Sequence, residues 1–294
     1  MLKTFSVREN TQLLTFLIKT LADYKRNKIK NLLKFKSVFV NGASVTQFNH
    51  ALVSGDQVSI ETDKKAKGKP LREFGIQIVH EDEAVIVIEK PAGLLTVSTE
   101  KVREKTAFYQ TFEYVRQSAS YKSARIFIVH RLDKEASGLI VFAKNMSAKT
   151  WLQLSWKKFE KRYFAVVRGT LKEKSGTISS HLEENKFLSV HSGKPTEKSK
   201  LAVTKYMVLK SNGKYSLLEV TLETGRKHQI RVHLADLGHP IVGDERYGSK
   251  DKFYGEERTK RIALHACYLA FDHPVTKKRV EFKSGLPDSL KKLI

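Results

Sequence analysis

From Ile76 onward the chain is a series of short β-branched and aromatic runs separated by turns, and this pattern limits the fold more than any other feature. IQIVHEDEAVIVIEKPAGLLTV sets two apolar runs around a polar HEDE and ends in a Pro-Gly turn at Lys90-Pro91-Ala92-Gly93. RIFIVH, LIVFAK and KRYFAVVRG are further strands, and KLAVTKYMVLKSNGKYSLLEVTLETG is a long hairpin with Asn212-Gly213 at its tip. MSAKTWLQLSWKKF reads as a helix, and so does HQIRVHLADLG, which Gly238 and then Pro240 stop. Strand pairs joined by short turns, with helices interspersed, predict an α+β domain: a largely antiparallel mixed sheet with flanking helices.

The first 60 residues predict a separate small α/β unit. In ENTQLLTFLIKTL, Leu13, Leu14, Leu17, Ile18 and Leu21 recur at helical spacing, with Asn10 or Thr11 available as a cap. YKRNKIKNLLKFK predicts a second helix, basic through Lys25, Arg26, Lys28, Lys30, Lys34 and Lys36 and apolar through Ile29, Leu32 and Leu33. A Val38–Val40 strand, an Asn41-Gly42 turn and the strand in GDQVSIE complete the unit. Residues 61–72, ETDKKAKGKPLR, have linker composition, so the larger domain spans 73–294.

The formal net charge of +23 predicts attraction to a polyanion, on a chain whose 40 % hydrophobic content supports an ordinary core. That combination favours a folded nucleic-acid binder over a disordered basic tail. The single cysteine, Cys267, rules out a disulfide framework within the chain. No apolar run approaches the roughly 18 residues of a spanning helix. MLKTFSVRENTQ lacks the apolar stretch of a secretory signal. The expectation is a cytoplasmic protein without a membrane partner.

Four polar constellations lie beside strands: KPAG at 90–93, HRLDKEASG at 130–138, KRY at 161–163 and TGRKHQIRVH at 224–233. A strand-anchored turn holds its side chains rigidly, as catalysis requires. Asp133 after Arg-Leu could simply cap a turn; the other three constellations give it a chemical context.

HRLDKEASG, taken with TGRKHQIRVHLADLGHPIVGDERYG, resembles the RluA-type family of RNA pseudouridine synthases, and KPAGLL, KRYFAVVRG and HACYLAFDHPVT match its other motifs in order. Ala136 departs from it, standing where the family often has Thr. The two helices, VNG hairpin and GD strand before the linker resemble the RNA-binding domain named after ribosomal protein S-four.

The resemblance implies isomerisation of uridine within RNA: the C1′–N1 bond breaks, the uracil turns while held, and C5 bonds to C1′. Breaking a glycosidic bond builds positive charge on the ribose or needs a nucleophile, and a carboxylate serves either way. By resemblance that carboxylate is Asp133. Whether it attacks C1′, attacks C6 or removes a ribose proton stays open. An adjacent cation keeps such a group ionised, and the resemblance assigns that cation to Arg226.

Tyr163 matches the family's active-site tyrosine, which would stack on the uracil and whose hydroxyl could also help remove the C5 proton. Arg131 matches the residue that fills the place of the everted nucleotide, where a planar guanidinium repays part of the lost stacking. Lys90 is expected near the pocket or on a phosphate, and Arg26, Lys30 and Lys34 on RNA.

His130, His228, His233 and His239 match no common metal spacing, and no phosphate loop is present. No cofactor and no metal are expected. The expected partner is ribosomal or transfer RNA, with no protein partner called for and a monomer anticipated. The rival readings are a non-catalytic RNA-binding or ribosome-assembly factor and a metal nuclease, for which the acids near the motifs, Asp133, Glu135 and Asp244, form no recognisable set.

Overall fold

A computed structural model of the chain describes residues 2–22, 24, 26–34, 37–61, 71–118, 125–187, 189–248 and 261–294. Most of the linker segment, together with Lys25 and Lys36, lies outside the described residues. The chain divides into two compact units, Met1–Gly68 and Lys69–Ile294.

The first unit runs β1 (Leu2–Ser6), β2 (Thr11–Gln12), α1 (Leu13–Thr20), α2 (Arg26–Lys34), β3 (Val38–Val40), β4 (Ala43–Ser44), β5 (Ala51–Leu52) and β6 (Gln57–Glu61). The sheet order is β1-β6-β3-β4, and β2 pairs separately with β5. Leu13, Leu17, Ile29 and Leu33 from the helices pack on Val38, Val40, Val58 and Ile60 from the sheet. Asn41 and Gly42 both have positive φ, 49° and 83°, the backbone a two-residue hairpin requires.

Two details differ from the expectation. β1 pairs along its whole length with β6, although LKTFS carries too few apolar residues to announce a strand. Neither Asn10 nor Thr11 caps α1. Gln12 precedes the helix without a side-chain cap, Asn10 accepts a hydrogen bond from the Ser54 N–H, and Thr11 belongs to β2.

The second unit comprises β7 (Gln77–Glu81), β8 (Val85–Lys90), α3 (Ala107–Ser118), β9 (Phe127–Ile128), β10 (Ser137–Ala143), α4 (Met146–Leu154), β11 (Glu160–Arg168), β12 (Ser175–Glu184), β13 (Val190–Gly193), β14 (Lys200–Ser211), β15 (Tyr215–Leu222), α5 (Gln229–Asp236), β16 (Leu264–Asp272), β17 (Arg279–Lys283) and α6 (Asp288–Lys291). Their 11-stranded sheet has the order β13-β12-β14-β15-β11-β16-β10-β8-β7, with β17 on β16 and β9 on β10.

The sheet is mixed: β16 pairs antiparallel with β11 and parallel with β10. β8 and β10 are apolar on both faces because both are covered. Ile86, Ile88, Ile140 and Phe142 join one core cluster with Val115 of α3, whereas Val85, Val87, Leu139 and Val141 join another with Leu152 of α4. Gly138 lets β10 close on β16, since a Cβ there would lie 2.2 Å from the Ala266 carbonyl oxygen. Among the described residues, no helix is long and apolar enough to cross a membrane.

Candidate active site

The loop between β9 and β10 carries Asp133, and the segment after β8 clasps its backbone on both sides. The Thr96 hydroxyl donates to the Leu132 carbonyl at 2.7 Å and accepts from the Leu132 N–H. On the other side Gly93 N–H and Lys90 Nζ both donate to the Lys134 carbonyl. With neighbours on either side fixed, Asp133 has little backbone freedom, and its side chain, 22 % exposed, turns to a cleft of about 280 Å³.

The cation beside Asp133 comes from α5. Arg231 Nη1 donates to Asp133 Oδ2 at 3.2 Å, while its Nε and Nη2 grip Asp244 at 2.7 and 2.8 Å. Burial alone would lower the pKa of this guanidinium, but hydrogen bonding and charge from Asp244 and Asp133 outweigh it and raise the value. Asp244 is fixed in turn by the N–H groups of Arg246 and Tyr247.

His228, left-handed at φ 53°, caps α5 and places Nε2 3.9 Å from Asp133 Oδ2. Its Nδ1 meets the Tyr247 hydroxyl at 2.7 Å. Burial lowers the His228 pKa more than Asp133 restores it, which favours the neutral ring. Among the described residues Asp133 Oδ1 has no hydrogen-bond partner, so one carboxylate oxygen is held and the other is open.

β11 forms another wall. Tyr163 and Lys161, two residues apart on one side of the strand, both line the cleft. Burial and then the charge of Asp133 push the Tyr163 hydroxyl above its ordinary pKa, so it stays a neutral phenol at physiological pH. His130 packs against Trp156 with ring centroids 4.7 Å apart and the planes tilted by 32°, and its Nε2 accepts the Val141 N–H. Burial and then Lys161 lower its pKa to about 3, which keeps the ring uncharged. The site thus combines an anchored carboxylate, a neutral phenol and an aromatic wall within a volume suited to one nucleotide.

A family profile described as RNA pseudouridylate synthase matches residues 84–236, which include the Asp133 loop, β11 and α5. The chain belongs to this family. This pseudouridine synthase is 35 % identical over 285 residues to a Bacillus subtilis protein named uncharacterized RNA pseudouridine synthase YlyB, covering 95 % of this chain and 91 % of that one. It is 34 % identical to the ribosomal large subunit pseudouridine synthase D of Pseudomonas aeruginosa, covering 90 % of this chain and 85 % of the relative. Among solved structures, human RNA pseudouridylate synthase domain containing 1 superposes with a TM-score of 0.56 at 27 % identity, covering 71 % of this chain and 83 % of that one. The resemblance carried by HRLDKEASG and TGRKHQIRVHLADLG is upheld, and the enzyme is an RNA-modifying isomerase.

Within the synthase, Asp133, Tyr163, Arg131 and Arg226 all line one cleft. Two expectations are corrected. Arg226 is not the cation against Asp133; it is exposed, and its Nε donates to the Leu201 carbonyl at 3.1 Å. It precedes the helix, whereas Arg231 sits within α5 and faces inward. Lys90 does not present itself to a phosphate: it is fully buried and its Nζ is taken up by the carbonyls of Pro91, Leu94 and Lys134. Burial lowers its pKa to about 7.

Arg26 and Lys30 are exposed on α2, while the side chain of Lys34 lies outside the described residues. Asp133, Glu135 and Asp244, the acids of the nuclease reading, converge on the Arg231 guanidinium instead of on an open cation site.

Sequence reasoning missed Arg231, Asp244 and Thr96. The available signal was an arginine inside a helix whose residues 229–234 are otherwise suited to burial, followed by the acids Asp244 and Glu245 of IVGDERYG.

Proposed function

We propose that this synthase isomerises uridine in ribosomal RNA of the large subunit, in the cytoplasm, with Asp133 acting at the ribose of an everted nucleotide. The carrying observation is the two-sided carboxylate of a cleft-lining residue: Oδ2 is held by Arg231, and among the described residues Oδ1 has no hydrogen-bond partner. A carboxylate in that state is aimed and needs little reorganisation.

Tyr163 packs against the uracil while C1′–N1 breaks and the base turns, and its hydroxyl stays protonated. When C5 has joined C1′, C5 gives up its proton and N1 gains one. Arg131, exposed at the cleft, fills the vacated position in the RNA stack. The N-terminal unit, read as S-four-like, adds RNA affinity through Arg26, Lys30 and Lys34 of α2, and the +23 charge supports the same partner. The large-subunit assignment is supported by the Pseudomonas aeruginosa relative, whose name states that substrate.

The test is release of tritium from [5-³H]uridine in unmodified large-subunit ribosomal RNA, beside transfer RNA. Release from the ribosomal transcript by the wild type, and a loss of at least about 1,000-fold in Asp133→Asn, are expected. Equal release by Asp133→Asn would remove the carboxylate from the mechanism. Release from transfer RNA alone would overturn the substrate assignment.

A further inference from the structure

Lys161 is a buried cation that the chemistry above does not use. It is only 4 % exposed, yet it lines the cleft. Among the described residues its ammonium meets no carboxylate and no hydrogen-bond acceptor; its one partner is the face of Trp156, with Nζ 4.8 Å from the ring centroid. Burial lowers its pKa, and His130, whose titration Lys161 disfavours, is neutral. A buried charge without an ionic partner is costly. A group arriving with the substrate would supply one.

The depth of the site indicates which group. The two exposed arginines that line the cleft, Arg131 and Arg226, are accessible to the RNA outside the everted nucleotide. Lys161 is far less accessible than either. It shares a side of β11 with Tyr163, about 6.6 Å along the strand. A ribose seated at Asp133 with its uracil against Tyr163 therefore directs the base, not a phosphate, towards Lys161.

We propose that the Lys161 ammonium donates to a carbonyl oxygen of the everted uracil and holds the negative charge the base acquires during the reaction. The inference rests on the reading of this cleft as the seat of the target uridine. When C1′–N1 breaks, its electron pair goes to N1 and spreads to O2 and O4. Addition to C6 would likewise send charge to O4. Lys161 keeps its proton throughout. The charge is discharged when the ring forms the C5–C1′ bond, after which the C5 proton leaves and N1 is protonated.

The test uses [5-³H]uridine-labelled total RNA from cells lacking the gene, which contains the natural substrate whatever its class. Lys161→Met is expected to cut the rate at saturating RNA about 100-fold, the scale of one lost oxyanion donor, while the half-saturating RNA concentration stays within about threefold. Its melting temperature should hold or rise, because a buried unpaired charge is gone; Lys161→Arg should recover part of the rate.

A Lys161→Met enzyme at wild-type rate, or one whose defect vanishes at saturating RNA as a phosphate contact would predict, overturns the proposal. Should Lys161→Met fail to fold, a structure of the wild type with 5-fluorouridine RNA decides. Nζ beyond hydrogen-bond reach of both O2 and O4 overturns the proposal, and contact with either supports it. Wild-type failure to release tritium would instead strike the assigned chemistry of the cleft, and the same structure would still test the lysine.

Discussion

Arg231 Nη1 lies 3.2 Å from Asp133 Oδ2, and the remaining face of the same guanidinium is committed to Asp244. The carboxylate is thereby tied to a buried pair that cannot shift without breaking. Arg231→Lys keeps a charge but loses the fork, and a saturating rate at least about 100-fold lower is expected. Arg226→Ala should keep that rate within about threefold and mainly weaken RNA binding, with a shallower salt dependence. Asp244→Asn leaves Arg231 buried and undercompensated, and about 3–5 kcal/mol of stability should be lost in urea unfolding. An Arg226→Ala enzyme as slow as Arg231→Lys would reverse the assignment.

Tyr163 stays protonated because burial and the Asp133 charge both disfavour its phenolate. The sign is clear: with the pKa raised above the ordinary value of about 10, no tyrosinate forms in the working range. Rate profiles of wild type and Tyr163→Phe between pH 6 and 9.5 should therefore have the same shape. A limb present in one and absent in the other would make the hydroxyl a titrating base.

Gly138 has φ +111° and faces the Ala266 backbone, so Gly138→Ala meets strain and collision together. The neighbour is main chain and cannot swing aside. A destabilisation above the usual overpacking range of about 1–3 kcal/mol is expected, read as a lower urea midpoint. A midpoint equal to wild type would mean that β10 and β16 can separate without cost.

His130 titrates at about 3 in the fold against 6.5 for an ordinary histidine, and His265 at about 4. Both are depressed, so the unfolded chain takes up protons first. The stability they contribute is complete above pH 6.5 and is lost as pH falls towards 3–4. His130→Gln should make the decline between pH 6.5 and 5 shallower, by up to about 1.4 kcal/mol per pH unit for one proton. An unchanged slope would show that the ring is charged in the native state.

Much of this was legible in the sequence. β-branched runs and turn residues located β8, β10, β11, β14 and β15, because these strands are apolar where they are buried, and β7, whose Ile78 and Val79 are apolar although exposed. HRLDKEASG and KRY named the loop and the strand that meet in the cleft. The arginine assignment failed for a local reason. The helix begins only after left-handed His228, and that single backbone conformation decides which arginine of the TGRKHQIRVH motif faces inward. Lys90 failed for a tertiary one: one of the carbonyls that accept its hydrogen bonds belongs to Lys134, far along the chain. β1, β12 and β13 alternate too weakly, or are too short, to stand out.

Strand β16 sits between β11 and β10, so the residues 264–272 join two partial sheets. Asp133 leads into one of them, while Tyr163 belongs to the other and Arg231 sits on α5, which packs against strands of that second part. During synthesis, at about 5–20 residues per second, Asp133, Tyr163 and Arg231 all emerge before the strand that unites the two parts. A nascent chain stopped short of Leu264 would carry all the reactive side chains yet have no active enzyme, so catalysis begins only when that late segment slots into place.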